Sequence, residues 1–67
     1  MTEYEIRIKR DDMPPDYVGR VHKWAHDDKA AVLLLLKKRP DANGRCVFKR
    51  GGTGRIISVT EVKDNNE

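Results

Sequence analysis

Apolar and polar residues alternate most clearly near the N-terminus of this chain. Tyr4, Ile6 and Ile8 are interleaved with Glu3, Glu5, Arg7 and Lys9, the period of a strand with one buried and one charged face. The segment Asp11-Asp12-Met13-Pro14-Pro15-Asp16 ends it, because paired prolines fix φ and remove backbone donors.

The next segment reads two ways. Val18, Val21, Trp24 and Ala25 recur at three-to-four spacing, which suits a helix beginning after Pro14-Pro15. Gly19 weakens that helix, and Asp27 reads as a fresh N-cap. A continuous helix would also carry Asp28 onto the apolar stripe with Val21 and Leu35. A second strand over residues 18–25 is therefore the preferred expectation.

The run Ala30-Ala31-Val32-Leu33-Leu34-Leu35-Leu36 follows. Asp27 and Asp28 precede it and Lys37, Lys38 and Arg39 follow it, an order that complements a helix dipole. Alanine and leucine favour helix over strand. The pattern predicts a helix from Asp27 to Arg39, stopped by Pro40 and followed by a turn at Asp41-Ala42-Asn43-Gly44. At about 100° per residue the run sweeps the whole helix circumference, so one apolar stripe is left over when a sheet covers the other. Either the domain buries the helix on both sides or a partner covers it, and 67 residues give little material for two covering layers.

Arg45–Arg50 and Arg55–Val62 are β-rich, with Gly51-Gly52-Thr53-Gly54 as a hairpin link. The expected fold is a small single α+β domain over residues 1–67. Its antiparallel sheet would have three to four strands, with one main helix packed on a face. The order would be ββαββ, or βααββ if residues 14–25 are helical. The polar tail 63–67 is expected to fray.

Composition narrows the function. Lys and Arg number 14 against 11 Asp and Glu, a net charge of +3, which suits an acidic partner without demanding one. The N-terminal residues are charged and lack the apolar core of a signal peptide. The longest apolar run, Ala30–Leu36, falls far short of the about 20 residues of a membrane span. The single Cys46 has no disulfide partner within the chain, so a reducing, cytoplasmic setting is expected, without membrane contact.

Catalytic chemistry has little to stand on. The chain holds no nucleophile elbow, paired-carboxylate framework or cofactor fingerprint. His22 and His26 have i, i+4 spacing, and Asp27, Asp28 and Cys46 could add ligands, yet a metal site needs three or four that converge. Solvated histidines are the plainer interpretation. The acidic residues around Pro14-Pro15 read as a solvated loop. The expectation is a non-enzyme with no cofactor, metal or small-molecule substrate.

Two binding functions remain. The first is a protein-binding module, an inhibitor or adaptor, in which Leu33, Leu34 and Leu36 contact a partner or a second copy of the chain and Trp24 serves as aromatic anchor. In type, though in no motif, this small cysteine-poor build resembles antagonists encoded by phages and mobile elements, anti-CRISPR proteins among them, which cover a surface of a larger machine. The second is a nucleic-acid-binding module that places Lys37, Lys38, Arg39, Lys49, Arg50 and Arg55 on phosphates. The glycines beside Lys49, Arg50 and Arg55 allow close backbone approach. This segment lacks the Gly-Lys-Ser/Thr ending of a nucleotide-binding loop. Few aromatics interleave with the cations, which disfavours base stacking.

Overall fold

A computed structural model describes residues 1–63. The expected fraying of the tail concerns residues that, from 64 on, lie outside the described residues. Strands β1 (Thr2–Arg10) and β2 (Gly19–Ala25) are followed by helix α1 (Asp28–Leu33) and strands β3 (Cys46–Val47) and β4 (Thr53–Glu61). All pairings are antiparallel, in the order β2-β1-β4-β3. The expected α+β domain with a main packed helix is corrected by this architecture: 46% of the residues are in strands, curled into a four-stranded half-barrel with only a short helix.

The helix stops early for a tertiary reason. Asp27 caps it, its carboxylate accepting from Ala30 N–H at 2.8 Å, which satisfies one of the unpaired first-turn donors. Beyond Leu33 the hydrogen bonds tighten to i→i−3, from Leu35 N–H to Val32 O and from Leu36 N–H to Leu33 O. The chain then leaves the helix altogether. Lys37 N–H donates to Val47 O at 2.9 Å, Lys49 N–H donates to Leu35 O at 2.8 Å, and Leu36 bridges Phe48. A helix continued to Arg39 would bury one stripe only; unwinding turns Leu36 into the core beside Phe48. Lys37, Lys38 and Arg39 therefore lie beyond the helix and complement no dipole.

Residues 19–25 form a strand. Arg20, His22 and Trp24 point to the exposed face, while Val21 and Ala25 turn inward. The three-to-four spacing through Val18, Val21 and Trp24 makes no buried helix face, as Val18 and Trp24 are exposed.

The core holds Ile6, Ile8, Ala25, Ala31, Leu36, Cys46 and Phe48, with Tyr4, Val21, Ile56 and Val59 packed against it. Ile56 and Val59 both reach it although three positions apart. The β1–β4 register passes from Arg7↔Ser58 to Ile8↔Ile56, leaving Ile57 as an extra residue. Such a bulge switches the inward-facing set and sharpens the twist of the strand. No helix among the described residues is long and apolar enough to cross a membrane.

Candidate functional site

Curling leaves the half-barrel open between the edge of β2 and the chain around Leu34–Leu35 and Phe48–Arg50. The opening is a groove of about 560 Å³. Its floor is apolar, made by Ile8, Val21, Leu34, Leu35 and Phe48. Its rim is basic: Arg10, Arg20 and Lys23 stand on the strand side, with His22 between them, and Lys49 and Arg50 stand opposite. Among the described residues no Asp or Glu lines it.

These cations are not equivalent. Arg10 is a strut. Its Nε donates to Asp12 at 3.2 Å, its Nη2 donates to Gly51 O at 2.8 Å, and its guanidinium lies 5.3 Å from the centre of the Phe48 ring. His22 is also engaged. Its Nδ1 sits 3.0 Å from Glu3 Oε2, and because a carboxylate only accepts, Nδ1 carries the proton. Its Nε2 lies 3.6 Å from Glu5. Arg20, Lys23, Lys49 and Arg50 have no ion-pair partner among the described residues. A cluster of like charges beside an apolar floor raises the local concentration of anionic groups.

The acidic loop after β1 engages Arg10 and Arg45 and leaves the other groove cations free among the described residues. Asp11 accepts from the Thr53 hydroxyl at 2.6 Å and from Arg45, and Asp12 takes Arg10. The loop's residues are exposed, as its composition suggests, and Asp11 and Asp12 also tie it to β1, β4 and Arg45.

The residues singled out from sequence are scattered. Leu34, Lys49 and Arg50 meet in the groove. Leu36 is 3% exposed and belongs to the core, so it offers no contact surface. Leu33 and Arg39 border a separate, more open depression of about 480 Å³, lined also by Asp28, Lys29, Val32 and Pro40. Trp24, 60% exposed, stands opposite Glu3 on the convex face, beside Val62 and Lys63. Lys37 shares the Leu36–Phe48 ladder with Lys49, whereas Arg55 faces Lys9 across β4 and β1. The basic clusters therefore do not form one patch.

His22 lies on a strand and His26 beyond it, so their spacing places no pair of imidazoles on a helix. Among the described residues no group of three or more His, Cys, Asp or Glu converges. Arg20 and Lys23, which count only as scattered charge in the sequence, become the strand wall of the groove. No residue spacing announces this, because it depends on β2 being an edge strand.

Comparison with protein-family models, with curated proteins and with solved structures finds no match to this chain.

Proposed function

We propose that this chain is a non-catalytic protein-binding module, an inhibitor or adaptor in a cytoplasmic setting, that holds an acidic segment of its partner in the groove beside β2. The observation that carries this reading is the groove's lining: among the described residues, Arg20, Lys23, Lys49 and Arg50 have no ion-pair partner and no carboxylate borders the apolar floor. Anionic side chains would meet the rim and their apolar neighbours the floor. Charge complementarity of this kind speeds encounter and excludes wrong partners. Antagonists of the phage and mobile-element type, to which the build bears its resemblance, would use such a surface to cover part of a larger machine.

A nucleic-acid backbone is the second reading, favoured by Lys37 extending the basic surface along the ladder from Lys49. It is the weaker one because the groove offers no accessible aromatic face to a base. Phe48, the aromatic in the groove, is 3% exposed, and single-strand binders stack bases on accessible rings.

Fluorescence anisotropy separates the two. A labelled acidic peptide and a labelled mixed-sequence single strand are titrated with the protein between about 50 and 200 mM salt. The proposal expects saturable peptide binding that outlasts oligonucleotide binding as salt rises. Oligonucleotide binding with no peptide binding overturns it in favour of the second reading.

A further inference from the structure

We infer that the partner segment is taken up as an extended strand, hydrogen-bonded to the free edge of β2, so that it closes the half-barrel. This rests on the reading above and specifies how the segment is held.

In the sheet order β2-β1-β4-β3, β2 pairs with β1 alone. None of its residues makes a further backbone hydrogen bond among the described residues. An antiparallel strand uses alternate N–H and C=O groups for each neighbour, so the other set along Gly19–Ala25 points into the groove mouth. Long open edges are usually blunted by proline, by a bulge, by a covering element or by charge, and of these β2 carries charge alone. Here the strand is seven residues long without proline, and its register with β1 runs unbroken from Thr2↔Ala25 to Ile8↔Gly19.

The chemistry beside the edge selects the guest. Lys23 is half-buried and turned to the concave side with Val21, an inward charge of the kind that keeps one sheet edge from pairing with another like it. A second copy of β2 would bring only more cations to Arg20 and Lys23. A segment with alternating acidic and apolar residues fits instead. Its carboxylates lie on the outward face, with Arg20 on one side and the exposed Lys49 and Arg50 on the other, and its apolar side chains turn inward with Val21 and Leu34. Strand addition draws affinity from the main chain and specificity from alternate side chains.

The test uses the full chain and a peptide of about eight residues alternating glutamate and valine, with capped ends, the period of a strand. Hydrogen exchange followed by NMR should show alternate amides within Gly19–Ala25 slowed at least about tenfold at saturation, while the amides already paired to β1 change little. The same peptide N-methylated along its backbone keeps its charges and loses its donors. It should bind at least about tenfold more weakly, the equivalent of one or two net backbone hydrogen bonds. Equal binding of the methylated peptide with unprotected β2 amides overturns strand addition and leaves the acidic-segment reading standing. No binding of either peptide, with capture of the oligonucleotide, overturns that reading and this inference together.

Discussion

Leu36 and Phe48 face each other across an isolated antiparallel bridge, and each is 3% exposed. The contact withdraws Leu36 from the helix and sets Lys49 and Arg50 along the wall of the groove. Leu36→Ala should lower stability by about 2–5 kcal/mol, the cost of a cavity in a close-packed core. Leu33→Ala, at a residue 42% exposed, should cost about 1 kcal/mol or less. Urea denaturation of both variants checks this; equal losses would put Leu33 in the core as well.

Gly54 stands where β4 lies too close to β1 to admit a side chain. A Cβ built there would lie 2.0 Å from Lys9 O and 3.0 Å from Arg10 Cα. Both obstacles are main chain, so relief requires the strands to separate. Gly54→Ala should destabilise by about 3 kcal/mol, the upper end of ordinary overpacking. A thermal melt unchanged from the parent would contradict the register between Arg10 and Gly54.

Cys46 is 1% exposed, and burial pushes its thiol above the usual value of 9.0. A raised acid favours the neutral form in the folded state. That contribution to stability is complete below about pH 9 and is lost as the pH climbs through the folded value. At pH 8 a disulfide reagent should label Cys46 only as fast as the chain opens, and labelling should accelerate near the urea midpoint. Prompt labelling of the native protein would show the thiol to be accessible.

Asp41 organises the loop between α1 and β3. Its Oδ1 accepts from the backbone N–H of Asn43 and of Arg45, each at 2.9 Å. The hydrogen bond from Arg45 is the main reason its carboxyl lies below the usual 3.8. A depressed carboxyl stabilises the fold above its unfolded value, and this is lost as the pH falls through the folded one. The protection of the Asn43 and Arg45 amides relative to their intrinsic exchange rates should therefore fall below about pH 4, and Asp41→Ala should produce the same loss of protection at neutral pH.

Charge reversal distinguishes the groove from the rest of the basic surface. Lys49→Glu with Arg50→Glu should weaken acidic-peptide binding at least about tenfold, while Lys37→Glu with Lys38→Glu changes it about twofold or less. All four side chains are exposed, so melting temperatures should stay close to that of the parent. Equal losses from the two pairs would point to a diffuse charge effect in place of a site.

What the amino-acid order determined by itself was local. The alternation of Tyr4, Ile6 and Ile8 sets the two faces of β1, and Asp27 places the start of α1 through a hydrogen bond spanning three residues. The Gly51–Gly52 turn joins two β-rich runs, with both glycines at positive φ. Each of these is encoded within a few neighbouring positions. The end of the helix was decided by tertiary structure. Leucine propensity favours continuing to Arg39, and the distant partner Phe48 draws Leu36 out because burial and backbone pairing outweigh propensity. The bulge at Ile57, the free edge of β2 and the meeting of Arg20 and Lys23 with Lys49 and Arg50 are likewise products of strand order and curl. They arise from pairing between residues far apart in the chain, which no local pattern records.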